Sequence, residues 1–419
     1  MRIALVMVTM DVPEKLRKHL ELLRGQTRKP DGIVVVNNGK SPVDFARKEF
    51  AGDFALHFLS FDNIGPAGGF KEGAKKAYAE GYDYIIFADD DAFPAGNGMM
   101  ERFYAHAGKG DALVAGYYTN GSPIGLSNHY MMVRRDIFPK VGFYFDPFFL
   151  MSEDIEFAER LQGVASVVHD KGIVIDHPWR ITTDSFRTYL SARNVYMHMA
   201  ITGKAAVFCY YFLYNSVRGA FFALSFRKPA FLLASIQAFW DFALGRAGRR
   251  SAPADRLGLK EARLDGLDRK KSLFIATGLE KAGEELAGAG IETLREGELV
   301  GSGARGGSPL SLLRGMARLV RRLAGRDVIL ANQFSLAVPP YSTFAGKVFL
   351  YDELKGRIFL FYENNAFLAL AFQIVAVPLA VLSLPAALAV FFLKMGHYKG
   401  LYQRKIAEDL EFCRAHSRP

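Results

Sequence analysis

Cysteine is nearly absent. The 419 residues hold only Cys209 and Cys413, far apart in sequence. That argues against a disulfide framework and suits a reducing compartment. No zinc-ligand spacing and no helix-turn-helix pattern occurs, so no nucleic-acid partner is expected. The chain does not open on a signal peptide, because Ile3–Thr9 is a short strand-like run leading directly into a patterned fold. A dinucleotide fingerprint is missing too. Gly65-Pro66-Ala67-Gly68-Gly69 has the wrong glycine spacing and follows the third strand.

What is present is apolar and basic. Half of the residues are hydrophobic, 35 are Phe, and the formal net charge is +10. A basic surface suits nucleic acid, anionic lipid or phosphorylated substrates. The distribution favours lipid, since Arg227, Lys228, Arg246, Arg249, Arg250, Lys394, Lys399, Arg404 and Lys405 all flank apolar segments. The length predicts two or three domains.

Ile3–Thr9, Ile33–Val36, Phe54–Phe61 and Tyr84–Ala88 read as strands, the first, second and fourth as continuous buried runs. Helices are expected over Glu14–Arg24 and Phe70–Glu80, with Leu16, Leu20 and Leu23 on one face of the first. Strands alternating with helices predict a mostly parallel sheet covered on both faces. Ligands of such sheets bind beyond the carboxyl ends of the strands. Thr9-Met10-Asp11, Asn37-Asn38 and Asp89-Asp90-Asp91 all lie at such ends, so three polar clusters are expected on one rim. Three carboxylates leaving a buried strand repel one another unless a cation compensates. Strand alternation turns Asp89 and Asp91 to one side, placed to share one ion, and Asp90 to the other. An acidic turn that merely closes the strand is the plainer alternative. The loop Gly65–Gly69 either brings backbone N–H groups to a phosphate or simply starts a helix.

The ordered motifs Val6–Asp11, Gln26-Thr27, Val34–Gly39, Asn63–Phe70 and Phe87–Pro94 resemble the inverting family 2 glycosyltransferases. Within that family Asn63-Ile64-Gly65-Pro66-Ala67-Gly68-Gly69-Phe70 and the triple Asp are most similar to galactofuranosyl- and rhamnosyltransferase-like members. The resemblance covers about the first half of the chain. It implies a GT-A fold, a Rossmann-like α/β architecture. It also implies a nucleoside-diphosphate-sugar donor and a divalent metal, Mg2+ or Mn2+. Asp89 and Asp91 become the metal and diphosphate residues, and Asp90 lies nearer the sugar or ribose. Thr9, Asp11, Asn37, Asn38, Asn63 and Gly68 fall on the donor side. Asn37 stands where the family commonly has Asp, which leaves the nucleobase open.

Phe148–Phe157 carries Glu153-Asp154-Ile155-Glu156 into an expected helix, Ile155–Leu161. Acidic residues at a helix start are often only caps. An inverting transfer also needs one carboxylate to take the acceptor proton. The segment resembles the family's Glu-Asp motif, which makes Asp154 the base and Glu153 the reserve. His177, after a strand and before Pro178, matches the family histidine that joins the metal, though such a residue is equally ordinary in loops. Tyr189–Asn194 resembles the element that ends the catalytic domain. Its Arg193 either binds phosphate or ties the last helix to the sheet.

Four regions are expected: a catalytic domain over 1–200, amphipathic membrane-interface helices over 201–250, a small α/β unit over 251–362, and a hydrophobic segment with a basic tail over 363–419. Ala205–Tyr214 and Ala220–Phe226, broken by Asn215 and Arg218, and Ala230–Leu244 are poor spans but good interfacial helices. Ala366–Leu393 is long enough to cross a bilayer. The 251–362 unit is read with a helix at Leu279–Ala287, a flexible loop at Gly301–Gly307 and a basic helix at Leu310–Leu323. The combined expectation is a membrane-associated, metal-dependent inverting glycosyltransferase with its catalytic half on the cytoplasmic face. Its acceptor would be a glycolipid or a lipid-linked or cell-surface glycan. The basic tail also predicts a cytoplasmic C-terminus, and one span cannot place both on one side. The segment is therefore re-entrant or in-plane, an earlier stretch also crosses, or the tail rule fails. The alternatives are a polyprenyl-phosphate glycosyltransferase resembling dolichyl-phosphate-mannose synthase, whose anionic acceptor needs no base, and a catalytically silent nucleotide-binding scaffold.

Overall fold

The computed structural model describes residues 1–177, 184–225, 227–256, 260–263, 266–276, 284, 286–295, 321–331, 345–352, 357–363 and 366–417. Its first part alternates strands and helices: β1 (Ile3–Thr9), α1 (Pro13–Arg24), β2 (Gly32–Asn37), α2 (Asp44–Phe50), β3 (Ala55–Ser60), α3 (Gly65–Ala79), β4 (Tyr84–Asp89), β5 (Phe93–Pro94), α4 (Met99–Lys109), β6 (Leu113–Tyr118), β7 (His129–Arg134), α5 (Phe138–Val141), α6 (Glu153–Gln162) and β8 (Val167–Asp176). The eight strands form one sheet in the order β3-β2-β1-β4-β7-β6-β8-β5. β1 and β2 are buried along their whole length, as expected of strands covered on both faces.

Register fixes the rim. Thr9 pairs with Asn37, Asn37 with Ser60, and Val8 with Asp89. The polar ends of β1, β2 and β4 therefore lie side by side, as the sequence reading expects. Beyond β4 the sheet turns mixed. β7 runs antiparallel to β4 and sets His129 opposite Ala88, one residue from Asp89.

Two sequence readings are corrected here. The glycine-rich stretch 65–69 is not a loop before a helix but the start of α3. A Cβ on Gly69 would lie 2.8 Å from Val8 Cγ1, and one on Gly73 would lie 2.4 Å from Val6 Cγ1. The missing side chains let α3 settle onto β1, so close packing outweighs glycine's poor helix propensity. Likewise Asn215 and Arg218 do not break the apolar run after residue 205.

That run is a single helix, α8 (Ala205–Ser225), between α7 (Ser185–Thr202) and α9 (Pro229–Ala243). Asn215 is buried and bonded to Tyr196, and Arg218 lies over the rings of Tyr214 and Phe222. A six-stranded second sheet, ordered β11-β10-β12-β13-β14-β9, comprises β9 (Lys260–Ala262), β10 (Ser272–Ala276), β11 (Glu292–Arg295), β12 (Asp327–Ala331), β13 (Lys347–Asp352) and β14 (Arg357–Glu363). The flexible loop read at 301–307 lies outside the described residues. So do most of the helices read at 279–287 and 310–323.

The last helix, α10 (Ala366–Ala415), runs through Pro378 and Pro385. Among the described residues it is the one helix long and apolar enough to cross a membrane, by length and composition alone. Its apolar stretch up to Leu393 leaves Val375, Leu379, Leu382 and Leu393 exposed. The charged stretch that follows is not a free tail. Asp409 is buried against Lys71 and Lys75, the Tyr402 hydroxyl donates to Glu156, and Cys413 joins the core beneath α3. The same helix thus presents an apolar face at one end and is anchored in the first sheet's core at the other.

Candidate active site

The rim opens into a cavity of about 870 Å³. Thr9, Asn38, Asn63, Asp89, Asp90 and Asp91 line it, and so does Lys15, which the sequence reading missed. Each acidic residue has its own partner. Asp90 is held by the Thr9 hydroxyl at 2.9 Å. Burial pushes its carboxyl up to about 6; Asp91 adds to the rise, and Thr9 and Lys15 oppose it. Burial also works against ionisation of Asp91, yet hydrogen bonds from His177 and Lys15 hold it well below the usual carboxylate range. The contacts are 3.4 Å to His177 Nε2 and 2.8 Å to Lys15 Nζ.

Asp89 faces His129 Nε2 at 3.4 Å. His129 is the second residue the sequence reading missed. The Tyr118 hydroxyl hydrogen-bonds its Nδ1 at 2.6 Å, and its ring lies on that of His177 with centroids 4.1 Å apart. Asp89 and Asp91 therefore each face an imidazole, and the two imidazoles touch. A lysine one turn into the helix after β1 was the only sequence sign of Lys15. His129 becomes visible only through the β4–β7 register.

Asp154 sits in the first turn of α6, half-buried. Burial raises its carboxyl, and the charge of Asp89 adds to this. The Ile155 backbone N–H and His129 oppose the rise. Glu153 is deeper. Burial and the adjacent Asp154 carry it well above the usual range, and its Oε2 has no hydrogen-bond partner among the described residues. The loop leading here holds Phe149, Met151 and Ser152 at positive φ, between 67° and 73°. Such strained non-glycine backbone persists only where its surroundings over-determine it.

Arg193 and Asn194 supply that restraint. Asn194 Nδ2 donates to the carbonyls of Phe148, Leu150 and Met151 at 2.7–2.9 Å. Arg193 is fully buried and donates to Phe148 O, Gly248 O, the Tyr189 hydroxyl and Asn194 Oδ1. Its guanidinium is thus spent on protein acceptors. Of the two readings, phosphate contact is corrected in favour of the structural tie, and the tie is to the loop before Asp154.

The remaining donor-side residues divide. Asn38 leaves a buried Oδ1 without a partner among the described residues, at the cavity lining. Asn37 turns inward, bonding Ser41 O and Gly39 N within its own loop. Asp11, at positive φ, accepts from the Lys40 and Ser41 N–H groups, which lower its carboxyl, and it borders an adjoining cavity of about 480 Å³. Gly68 borders a third cavity rather than the aspartate cavity.

Among the described residues no three His, Cys, Asp or Glu side chains close on one point as a ready metal cage. Magnesium-type ions on phosphate substrates are usually held by one or two carboxylates plus the phosphate oxygens. Asp89 and Asp91, with His177 beside them, fit such an open site.

Residues 4–157 match the glycosyl transferase family 2 profile. The chain is 45% identical over 91 residues to galactofuranosyltransferase GlfT1 of Mycobacterium tuberculosis, a match covering 20% of this chain and 29% of that protein. It is 38% identical over 104 residues to GlfT1 of Mycolicibacterium smegmatis, covering 24% and 34%. The matched stretch thus spans about a third or less of these relatives. Among solved structures, S. aureus TarS is 14% identical with a TM-score of 0.40, covering 58% of this chain and 49% of that one, too remote a likeness to bear on the site. The segment 4–157, with its rim of strand ends and its acidic cluster, belongs to glycosyl transferase family 2 and carries its GT-A-like α/β fold.

Proposed function

We propose that the chain is an inverting glycosyltransferase that moves a sugar from a nucleoside-diphosphate donor to a lipid-linked or cell-surface glycan. The observation that carries this reading is the division of acidic roles between the aspartate cavity and the start of α6, whose Asp154 lies near enough to feel the charges of Asp89 and His129. Asp91 is kept ionised by Lys15 and His177, whereas Asp154 is pushed towards the pH at which a carboxylate takes protons efficiently. The donor diphosphate lies over Asp89 and Asp91, and the nucleoside lies along Thr9, Asn38 and Asn63. Asp154 accepts the proton of the acceptor hydroxyl as its oxygen bonds to the anomeric carbon. The bond from that carbon to the diphosphate breaks, with inversion. A divalent ion held by Asp89 and Asp91, with His177 in support, would offset charge on the departing diphosphate. Lys15 lies where it offsets part of the same charge. The relatives' name nominates a galactofuranosyl nucleotide as the first donor to try.

Membrane association is part of the proposal. It is supported by the exposed apolar half of α10 and by basic residues beside the apolar helices. The test is thermal stabilisation by nucleotide sugars with and without Mn2+, because a ligand that binds only the folded state raises its apparent stability. Metal-dependent stabilisation by one nucleoside class is expected. Indifference to every nucleoside diphosphate under all metal conditions would defeat the proposal.

A further inference from the structure

The outer face of α9 is an apolar stripe that no part of the described chain covers. Leu233, Ile236, Trp240 and Leu244 recur at helical spacing and are each between 45% and 58% exposed. Such a stripe in a soluble protein marks an interaction surface. At its end the chain turns through Gly245-Arg246-Ala247-Gly248-Arg249-Arg250. The stripe and the arginines together enclose a cavity of about 660 Å³ lined by Leu233, Ile236, Trp240, Arg246, Arg249 and Arg250.

The arginines are unequally committed. Arg246 reaches Asp241 at 3.4 Å and Arg249 lies 3.8 Å from Asp62, both with more than half their side chains exposed. Arg250 is exposed and makes no ion pair among the described residues. Arg249, Arg250 and Ser251 also line the aspartate cavity, so the two cavities share a wall of arginine. A wall of guanidinium groups between an apolar groove and an acidic active cavity calls for an anion that carries a hydrocarbon chain. Arginine's planar fork suits phosphate oxygens in particular.

We propose that this groove is a lipid-phosphate site, in which Arg246, Arg249 and Arg250 hold the phosphate ester of a long-chain lipid while its chain runs along Leu233, Ile236 and Trp240. The occupant is a membrane-borne acceptor whose headgroup points past the shared arginines into the aspartate cavity. The inference rests on reading the aspartate cavity as the donor site. Arg246 lines only the lipid groove, whereas Arg249 and Arg250 line both cavities. That difference separates lipid recognition from donor recognition.

The test uses the full chain in phosphatidylcholine nanodiscs and the fluorescence of Trp240, with Trp240→Phe identifying its share of the signal. Phosphatidic acid with brominated acyl chains is titrated in at a few mole per cent, and brominated phosphatidylcholine at equal mole fraction is the comparison. Saturable quenching by the phosphatidic acid alone is expected. Arg250→Ala and Arg246→Gln should each weaken it about tenfold, the effect of losing one charge-assisted contact, with thermal unfolding confirming that the variants fold. Equal quenching by both lipids, or quenching indifferent to both variants, would overturn the proposal in favour of plain bilayer contact. Weakened nucleotide stabilisation in Arg246→Gln would overturn it as well, by assigning the groove to the donor. The readout requires no turnover. A failure of donor binding would leave this quenching standing, and a failure of quenching would leave donor binding standing.

Discussion

Arg193 offers the sharpest separation of two roles. It is fully buried, and replacing it with Met keeps most of its volume while removing every donor. Phe148 O would keep Asn194 Nδ2, and the Tyr189 hydroxyl would keep Asp241. Gly248 O, now bonded at 2.7 Å, and Asn194 Oδ1 would lose the guanidinium. A buried acceptor left unmade costs about 1–3 kcal/mol, so two of them cost roughly 2–6 kcal/mol. For a cooperative unit of a couple of hundred residues, each kcal/mol lowers Tm by about 2–4 °C. Arg193→Met should therefore melt roughly 5–20 °C below the wild type in scanning fluorimetry. Donor-induced stabilisation should persist in the fraction that stays folded, and turnover should fall because the loop before Asp154 is released. An unchanged melting temperature together with lost donor stabilisation would refute this reasoning and return Arg193 to the phosphate.

Two other perturbations read the sheet and its rim. With metal chelated, Asp90 titrates near 6 in the fold because it is buried, whereas an unfolded Asp titrates at about 3.9. The folded state thus holds a proton that the unfolded chain has released, so stability should fall by up to about 3 kcal/mol as pH rises from about 4 to 6. Asp90→Asn should flatten that slope in urea titrations across this window, and an unaltered slope would contradict the assignment. Gly73→Ala should destabilise by about 1–3 kcal/mol despite alanine's better helix propensity, because its Cβ would meet Val6. A more stable protein in the same titrations would show that α3 does not need its glycine face.

The strands under the rim were legible because β1, β2 and β4 are apolar almost throughout, a pattern that only burial on both faces accounts for. The acidic triplet was legible for the opposite reason, since it spends three carboxylates where a turn needs one. What escaped the sequence depends on partners that meet only in three dimensions. Gly65–Gly69 looked like a loop because its helical role exists only against Val6 and Val8. Asn215 looked like a break because nothing local reveals that Tyr196 bonds it. Lys15 and His129 carry no motif of their own: the placement of α1 brings Lys15 to Asp91, and the β4–β7 register brings His129 to Asp89. Arg193 was found as a motif but not as a tie, because its acceptors lie 45 residues before it and 55 after it.

The central claim is that Asp154 removes the acceptor proton while Asp89 and Asp91 hold the donor. Its most direct test compares Asp154→Asn with the wild type for donor stabilisation and for sugar transfer in a membrane fraction supplying acceptor. Transfer should drop by about 10²–10⁴-fold, the usual worth of a positioned base, while donor stabilisation stays intact. Full transfer activity in Asp154→Asn would contradict the account and favour an acceptor that is already an anion.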